Sequence, residues 1–458
     1  MAEVLTPRKN LSINPLKMSP PLGGSLAFMG LDGCVPLIHG SQGCSAFGLA
    51  MAVLHYRETI PFQNTAMSEV TTILGGVDNL EEACLNIVNR TKCRIIGICT
   101  TGLTETRGED LKGDLRHIRR RHPELADVEL VYVSTPDFVG GLQTGWSKAV
   151  SAMVDQIVLP PTVRRERQIN ILAGNHLTAG DIEEIRDLVE AFGLTPIVLP
   201  DLSNSLDGQV PDRYIATTYG GTTVDDIRAM GNSAFTIGIG EQMTEAARIL
   251  QTKTGVPFEV LDRLTGLVAV DRFVALLQRL SGQSAPERVR KQRRQLVDAM
   301  LDGHFYFSGI RVAVAADPDL LFAMASWLGE MGATVVTAVS SVETPVLAGL
   351  AVDQIVIGDM DDLERGAEEQ NADLLIAHSH GRMAAERLGL PLYRVGFPMF
   401  DRLGANHRRT VGYRATRDLI FELGNLIIEH TREAEPGAWT LPGEDNLEEG
   451  GHAPATSH

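Results

Sequence analysis

The stretch with the most chemical promise is Val35-Pro36-Leu37-Ile38-His39-Gly40-Ser41-Gln42-Gly43-Cys44-Ser45. An apolar run stops at a small, polar, glycine-rich loop, and the loop delivers a cysteine. Gly40 and Gly43 allow positive φ and a close approach of the backbone to a bulky ligand. A thiolate among backbone N–H groups is what an iron–sulfur cluster requires. Phe47 to Tyr56 reads as a helix that starts just after Cys44. The sulfur then lies near a helix N-terminus, where the dipole favours negative charge. One cysteine cannot complete the thiolate set of a cluster. Either Cys44 is a structural thiol, or the other ligands come from elsewhere.

The other candidates are weaker. Cys99 lies inside an apolar strand, Cys84 and Cys93 flank a helix–strand joint, and Cys34 precedes an apolar run; all four read as buried thiols. Five cysteines without zinc or disulfide spacing suit a reducing compartment. No G-x-G-x-x-G follows a strand and no P-loop is present, and Gly238-Ile239-Gly240 lacks a third glycine, so nucleotide binding has no support. His378 and His380, at a strand end, have the chemistry of metal ligands. The competing reading sets them on opposite faces and gives them an inter-domain or subunit contact. Two arginine-rich stretches, Arg116 to His122 and Arg288 to Arg294, read as solvated helix faces or as a docking patch for an acidic partner. No residue stands out as a catalytic acid, base or nucleophile.

The elements that must position these residues repeat. Arg94 to Cys99 is a short apolar strand that runs into Thr100-Thr101-Gly102-Leu103-Thr104-Glu105-Thr106; a helix from Asp110 to Arg121 and a strand Glu129 to Val133 follow. The pattern returns at Ile169 to Gly174, with a helix capped by Thr178 or Asp181 and a strand Pro196 to Leu199. It returns again at Val312 to Ala315, with a helix Pro318 to Met331 and a strand Thr334 to Val339. Short apolar strands alternating with helices predict parallel sheets covered on both faces, with polar loops at the strand C-terminal ends where such sheets bind ligands. The expected fold is α/β, with three Rossmann-like domains, each a parallel sheet flanked by helices. The boundaries fall at 1–165, with an N-terminal arm over residues 1–22 and the Cys44 loop, at 166–303, and at 304–435. Residues 436–458 read as a disordered acidic tail.

Composition narrows the function. A net charge of −17 argues against nucleic-acid binding. No run has the length of a membrane span and the N-terminus lacks a secretory apolar core, so a cytoplasmic protein is expected.

Taken together, His39-Gly40-Ser41-Gln42-Gly43-Cys44, Thr100-Thr101-Gly102-Leu103-Thr104-Glu105, Gly108-Glu109-Asp110-Leu111 and Arg394-Val395-Gly396-Phe397-Pro398-Met399-Phe400-Asp401-Arg402 resemble the β-type chains of the nitrogenase component 1 family. The resemblance runs from about Pro15 to Ile428 and is closest to the branch that forms the scaffold for maturation of the iron–molybdenum cofactor. The catalytic β chains of that family give three cysteines to an eight-iron interface cluster. Only Cys44 matches one of them; the other two positions fall at Ser19 and Gly102. The resemblance therefore implies a 4Fe–4S cluster shared with an α-like partner, NifE, with Cys44 as the one metal ligand from this chain. It further implies an (αβ)2 heterotetramer, a cofactor precursor held mainly by the partner chain, NifB as precursor donor, and the nitrogenase iron protein NifH as a further partner. The chain would be a scaffold subunit in an oxidoreductase family, with no catalytic residues of its own.

Two enzymes compete with this reading: the catalytic β subunit of nitrogenase, and that of the dark-operative protochlorophyllide reductase. Ser19 and Gly102 count against the first. A plain ligand-binding α/β protein is a third reading; it predicts a chain that is stable alone, holds no iron and tolerates Cys44→Ser.

Overall fold

The computed structural model describes residues 2–7, 12, 14–108, 110–206 and 212–432. Their strands form three parallel sheets. The first contains β2 (Cys34–His39), β3 (Gln63–Asn64), β4 (Ile95–Thr100) and β5 (Glu129–Val133), in the order β3-β2-β4-β5. The second contains β6 (Arg165–Ala173), β7 (Thr195–Leu199), β8 (Ser233–Ile239) and β9 (Phe258–Leu261), in the order β7-β6-β8-β9. The third contains β1 (Glu3–Leu5), β10 (Arg311–Ala316), β11 (Thr334–Ser340), β12 (Gln354–Ile357), β13 (Leu374–Ala377) and β14 (Leu392–Arg394), in the order β1-β12-β11-β10-β13-β14. The predicted α/β class is what forms. Every residue of β2 and β4 is buried, which is why these strands read as continuous apolar runs rather than alternating ones.

All three sheets are wound alike. Apart from β1, which is added at an edge, the chain starts each sheet at an inner strand, builds to one side, then crosses back and builds to the other. The reversal lies between β2 and β4 in the first sheet, β6 and β8 in the second, and β10 and β13 in the third. At such a reversal the connections leave in opposite directions, and a crevice opens at the carboxyl ends of the two strands.

The N-terminal segment differs from an extended arm. Glu3–Leu5 is β1, which pairs with Gln354–Val356 of β12. Pro20–Met29 is a helix, α1, with all ten residues buried. Ser19 sits at its N-cap and proline occupies the first turn, where a missing N–H costs nothing. A helix that is apolar all round has to be enclosed. The enclosing elements are β4 and the helix Leu142–Ile157. A Cβ on Gly97 of β4 would lie 2.3 Å from the Phe28 ring. A Cβ on Gly23 would lie 1.9 Å from the Leu142 carbonyl oxygen, and one on Gly145 only 1.8 Å from that of Pro20. Glycines that look like a loop in the sequence are what let two backbones touch.

The arginine-rich stretches are largely satisfied within the chain. Arg121 and His122 both meet Glu81, and the Arg119 guanidinium donates to the Val128 carbonyl. Arg288 pairs with Asp187, Arg293 with Asp271, and Arg290 and Arg294 with Glu287. The expected tail at 436–458 lies outside the described residues, as does Glu109. Among the described residues no helix is long and apolar enough to cross a membrane.

Candidate functional site

The Cys44 loop leaves β2, and Thr101-Gly102 leaves β4, at the crevice of the first sheet. His39 and Thr100 are register partners at the ends of these strands. Helix α2 (Gln42–Tyr56) begins earlier than expected, so Cys44 lies in its first turn. Ser41 is the N-cap, and its Oγ is 3.5 Å from Cys44 Sγ. Cys44 is exposed, whereas Cys34, Cys84, Cys93 and Cys99 are buried. Burial pushes the thiols of Cys84 and Cys99 up to about 12, which keeps them protonated and inert.

The loop is held from several sides. Thr65 Oγ1 accepts from the Gly40 N–H (3.1 Å) and pairs with His39 Nδ1 (3.0 Å). Thr101 Oγ1 donates to the His39 carbonyl at 3.1 Å. Asn64 donates to Ser45 Oγ at 2.7 Å. The expectation of positive φ at Gly40 and Gly43 is not met: neither adopts it. Gly40 is needed for another reason, because a Cβ there would lie 2.7 Å from Thr101 Oγ1. A Cβ on Gly43 would meet nothing within 4 Å, so the side of the loop next to the sulfur is open.

The late motif Gly396 to Arg402 is the seat of the other end of α2. His55 Nδ1 accepts from the Met399 N–H at 2.9 Å, and its ring meets that of Phe397 with centroids 4.9 Å apart. The Arg57 guanidinium donates to the Phe400 carbonyl at 2.8 Å. The third sheet thus fixes the C-terminal end of the helix that presents Cys44.

The two positions matched to the missing cysteines also start helices. Ser19 caps α1. Gly102 opens the short helix Gly102–Glu105, whose cap is Thr101. The Gly102 N–H donates to Asp137 at 3.0 Å, and a Cβ there would approach the Phe138 ring at 3.2 Å. The contacts of Gly23 and Pro20 with Leu142 and Gly145 set the start of α1 beside the start of Leu142–Ile157, which follows β5 and so lies at the carboxyl end of the same sheet. Among the described residues no three His, Cys, Asp or Glu side chains converge on a metal position. An exposed thiol with an open flank fits a cluster completed by ligands from another chain; it does not fit one closed by this chain alone.

His378 and His380 do not lie on opposite faces. The strand turns into a short 3-10 helix, Ser379–Gly381, and brings the two rings edge to face at 5.0 Å. His378 is buried against the arm at Leu16. One contact of this pair is thus with the arm of the same chain, where Asn14 donates to the His380 carbonyl at 3.1 Å.

The comparisons decide the family. The model of nitrogenase component 1 type oxidoreductases matches residues 19–428. The chain belongs to the nitrogenase component 1 family. Within this family it is 53% identical to the iron-molybdenum cofactor biosynthesis protein NifN of Bradyrhizobium diazoefficiens, over 97% of this chain and 96% of that one. It is 49% identical to NifN of a Nostoc species, over 94% and 96% of the two chains, and 38% identical to NifN of Klebsiella pneumoniae, over 94% of each. A solved structure of nitrogenase Cp1 at pH 6.5 superposes with a TM-score of 0.89 at 29% identity, over 94% of this chain and 97% of that one. These relatives place the chain on the NifN branch rather than among the catalytic β subunits.

Acid sensitivity follows from the buried histidines. Desolvation lowers His55 and His176 to about 4 and His378 to about 3. The unfolded chain takes up protons near 6.5, and the folded one does so only well below that. Stability is therefore lost as pH falls from about 6.5 toward 4. Asp319, raised to about 6 by burial, works the other way and offsets part of the loss. The expected result is a Tm several degrees lower at pH 5 than at pH 7.5 in thermal unfolding of the complex; a Tm unchanged over that range would contradict the neutral buried state.

Proposed function

We propose that this chain is the β-like subunit of the NifEN scaffold, on which the iron–molybdenum cofactor of nitrogenase is matured before transfer to the apo-enzyme. The single observation that carries the reading is the combination of a near full-length NifN relationship with one exposed thiol, Cys44, where Ser19 and Gly102 supply no further sulfur. Cys44 would give one thiolate to a 4Fe–4S cluster, and the α-like partner NifE the rest. Such a cluster supplies a redox centre and an inorganic link between subunits. The protein's own part is to hold the sulfur at the start of α2. On the connections that leave the carboxyl end of the same sheet, Phe47, Ile73, Leu74, Phe138 and Val139 are exposed, with Ile73 at 77%. Apolar groups gathered at one place support a protein partner there. The precursor would sit mainly in NifE, arriving from NifB, with NifH taking part in maturation. An (αβ)2 assembly in the cytoplasm completes the proposal.

The test is iron per αβ pair, after co-expression with NifE in cells unable to make the precursor. Roughly four irons are expected for one 4Fe–4S cluster. An iron-free pair would reject the shared cluster. The combined variant Ser19→Cys with Gly102→Cys is expected to raise the iron content above that of the unsubstituted pair. Phe138 would need to yield by only a few tenths of an ångström to admit the new side chain at Gly102. An unchanged iron content, with a folded pair, would mean that these two positions do not face the cluster.

A further inference from the structure

The reversals of the second and third sheets face each other. The loop after β6 carries Asn175 and His176, that after β8 begins at Gly240, that after β10 carries Asp317 and leads into a helix with Asp319 in its first turn, and that after β13 carries His378. Four loops from two crevices thus meet. A Cβ on Gly240 would lie 2.5 Å from Asp319 Oδ2 and 2.8 Å from His176 Cε1. Between them is a cavity of about 20 Å3, lined by Asn175, His176, Asp317 and His378 and closed by Leu16, Leu320 and Phe397.

Most polar atoms here are paired. Asp317 accepts from Asn175 (3.1 Å) and Ser341 (2.5 Å), and Asp319 Oδ2 accepts from the backbone and side chain of Gln242. The exceptions are Asp319 Oδ1 and the two histidines. Both ring nitrogens of His176 are buried and lack a partner. His378 Nε2 also makes no hydrogen bond, although the Leu16 carbonyl is close to the ring. Leaving such groups unpaired in the interior is unfavourable.

We propose that this junction is a built hydration site: one ordered water molecule, hydrogen-bonded to His176 and to His378 Nε2, joins the second sheet to the third. The cavity has the size of one water, and the lining offers the two or more polar partners that a buried water needs. A neutral imidazole presents one donor and one acceptor, and water can complement either. A metal ion fits less well, since no third ligand converges among the described residues. An anion would face the carboxylates of Asp317 and Asp319. The water would act as a polar key between the two units.

The experiment is a crystal structure of the chain in its αβ complex at a resolution that orders waters, for the native sequence and for His176→Phe. The expected native result is a single light-atom peak within hydrogen-bonding distance of a His176 nitrogen and of His378 Nε2. In His176→Phe the ring fills the space, the peak is lost, and the complex melts at a lower temperature. A dry cavity with both imidazoles turned onto protein partners would overturn the proposal. So would an anomalous signal from a metal. The native crystal decides the matter even if the variant fails to fold.

Discussion

Cys44→Ala, co-purified with the α-like partner, is expected to lose most of the iron that the unsubstituted pair retains when no cofactor precursor is made. The expected change is from roughly four irons per pair to near none, with the corresponding loss of iron–sulfur absorbance. A cluster with one ligand from this side has no neighbouring sulfur here to take its place: the other four cysteines lie in the core, and the two helix starts nearest in role carry Ser19 and Gly102. The fold itself should survive, because Cys44 is exposed and, among the described residues, its side chain's polar contact is the 3.5 Å approach of Ser41 Oγ. Circular dichroism of the variant should therefore match the native pair while its iron is gone. A variant that keeps full iron would return Cys44 to the role of an ordinary surface thiol.

Gly145→Ala is expected to have the largest effect on folding. The new Cβ would sit 1.8 Å from the carbonyl oxygen of Pro20 and 2.6 Å from its carbonyl carbon. Both are backbone atoms of a buried helix, so no side chain can swing away. Overpacking a core costs about 1–3 kcal/mol even when side chains can adjust, and more when backbones must part. Against a total stability on the order of 5–15 kcal/mol, that should leave little soluble chain. Gly43→Ala is the matched control. It lies in a helix, adopts no positive φ and meets nothing within 4 Å, so it should be neutral or add about 0.5–1 kcal/mol. Soluble yield and Tm measured side by side separate the two. Equal behaviour of the two variants would mean that α1 does not depend on this backbone contact.

The strands and the helices between them were legible because their signal is local: Val312 to Ala315 or Ile95 to Cys99 read as enclosed strands from composition alone. The Cys44 loop was legible for the same reason, since glycine, polar residues and cysteine stand together at a strand end. Helix α1 was not. Pro20-Pro21 and Gly23-Gly24 carry turn chemistry, and what makes them helical is the enclosure supplied by Gly97 and by the helix starting at Leu142, which lie far away in sequence. His55 and His176 gave no signal either, because a single histidine is informative only through the groups it is buried against. The role of Phe397 to Phe400 was visible as a motif but not as the seat of α2, since nothing local links residue 399 to residue 55.

The pairing of Glu3–Leu5 with Gln354–Val356 has a consequence for how the chain is made. On the ribosome the strand they dock on emerges about three hundred and fifty residues after them. At typical elongation rates of roughly 5–20 residues per second, the N-terminus waits on the order of twenty seconds or more for its partner. During that interval the first two sheets can close, while the third cannot receive its outer strand. Placing Glu3–Leu5 is thus a late step of biogenesis, and a bulky fusion at the N-terminus would interfere there rather than with the sheet that bears the cysteine.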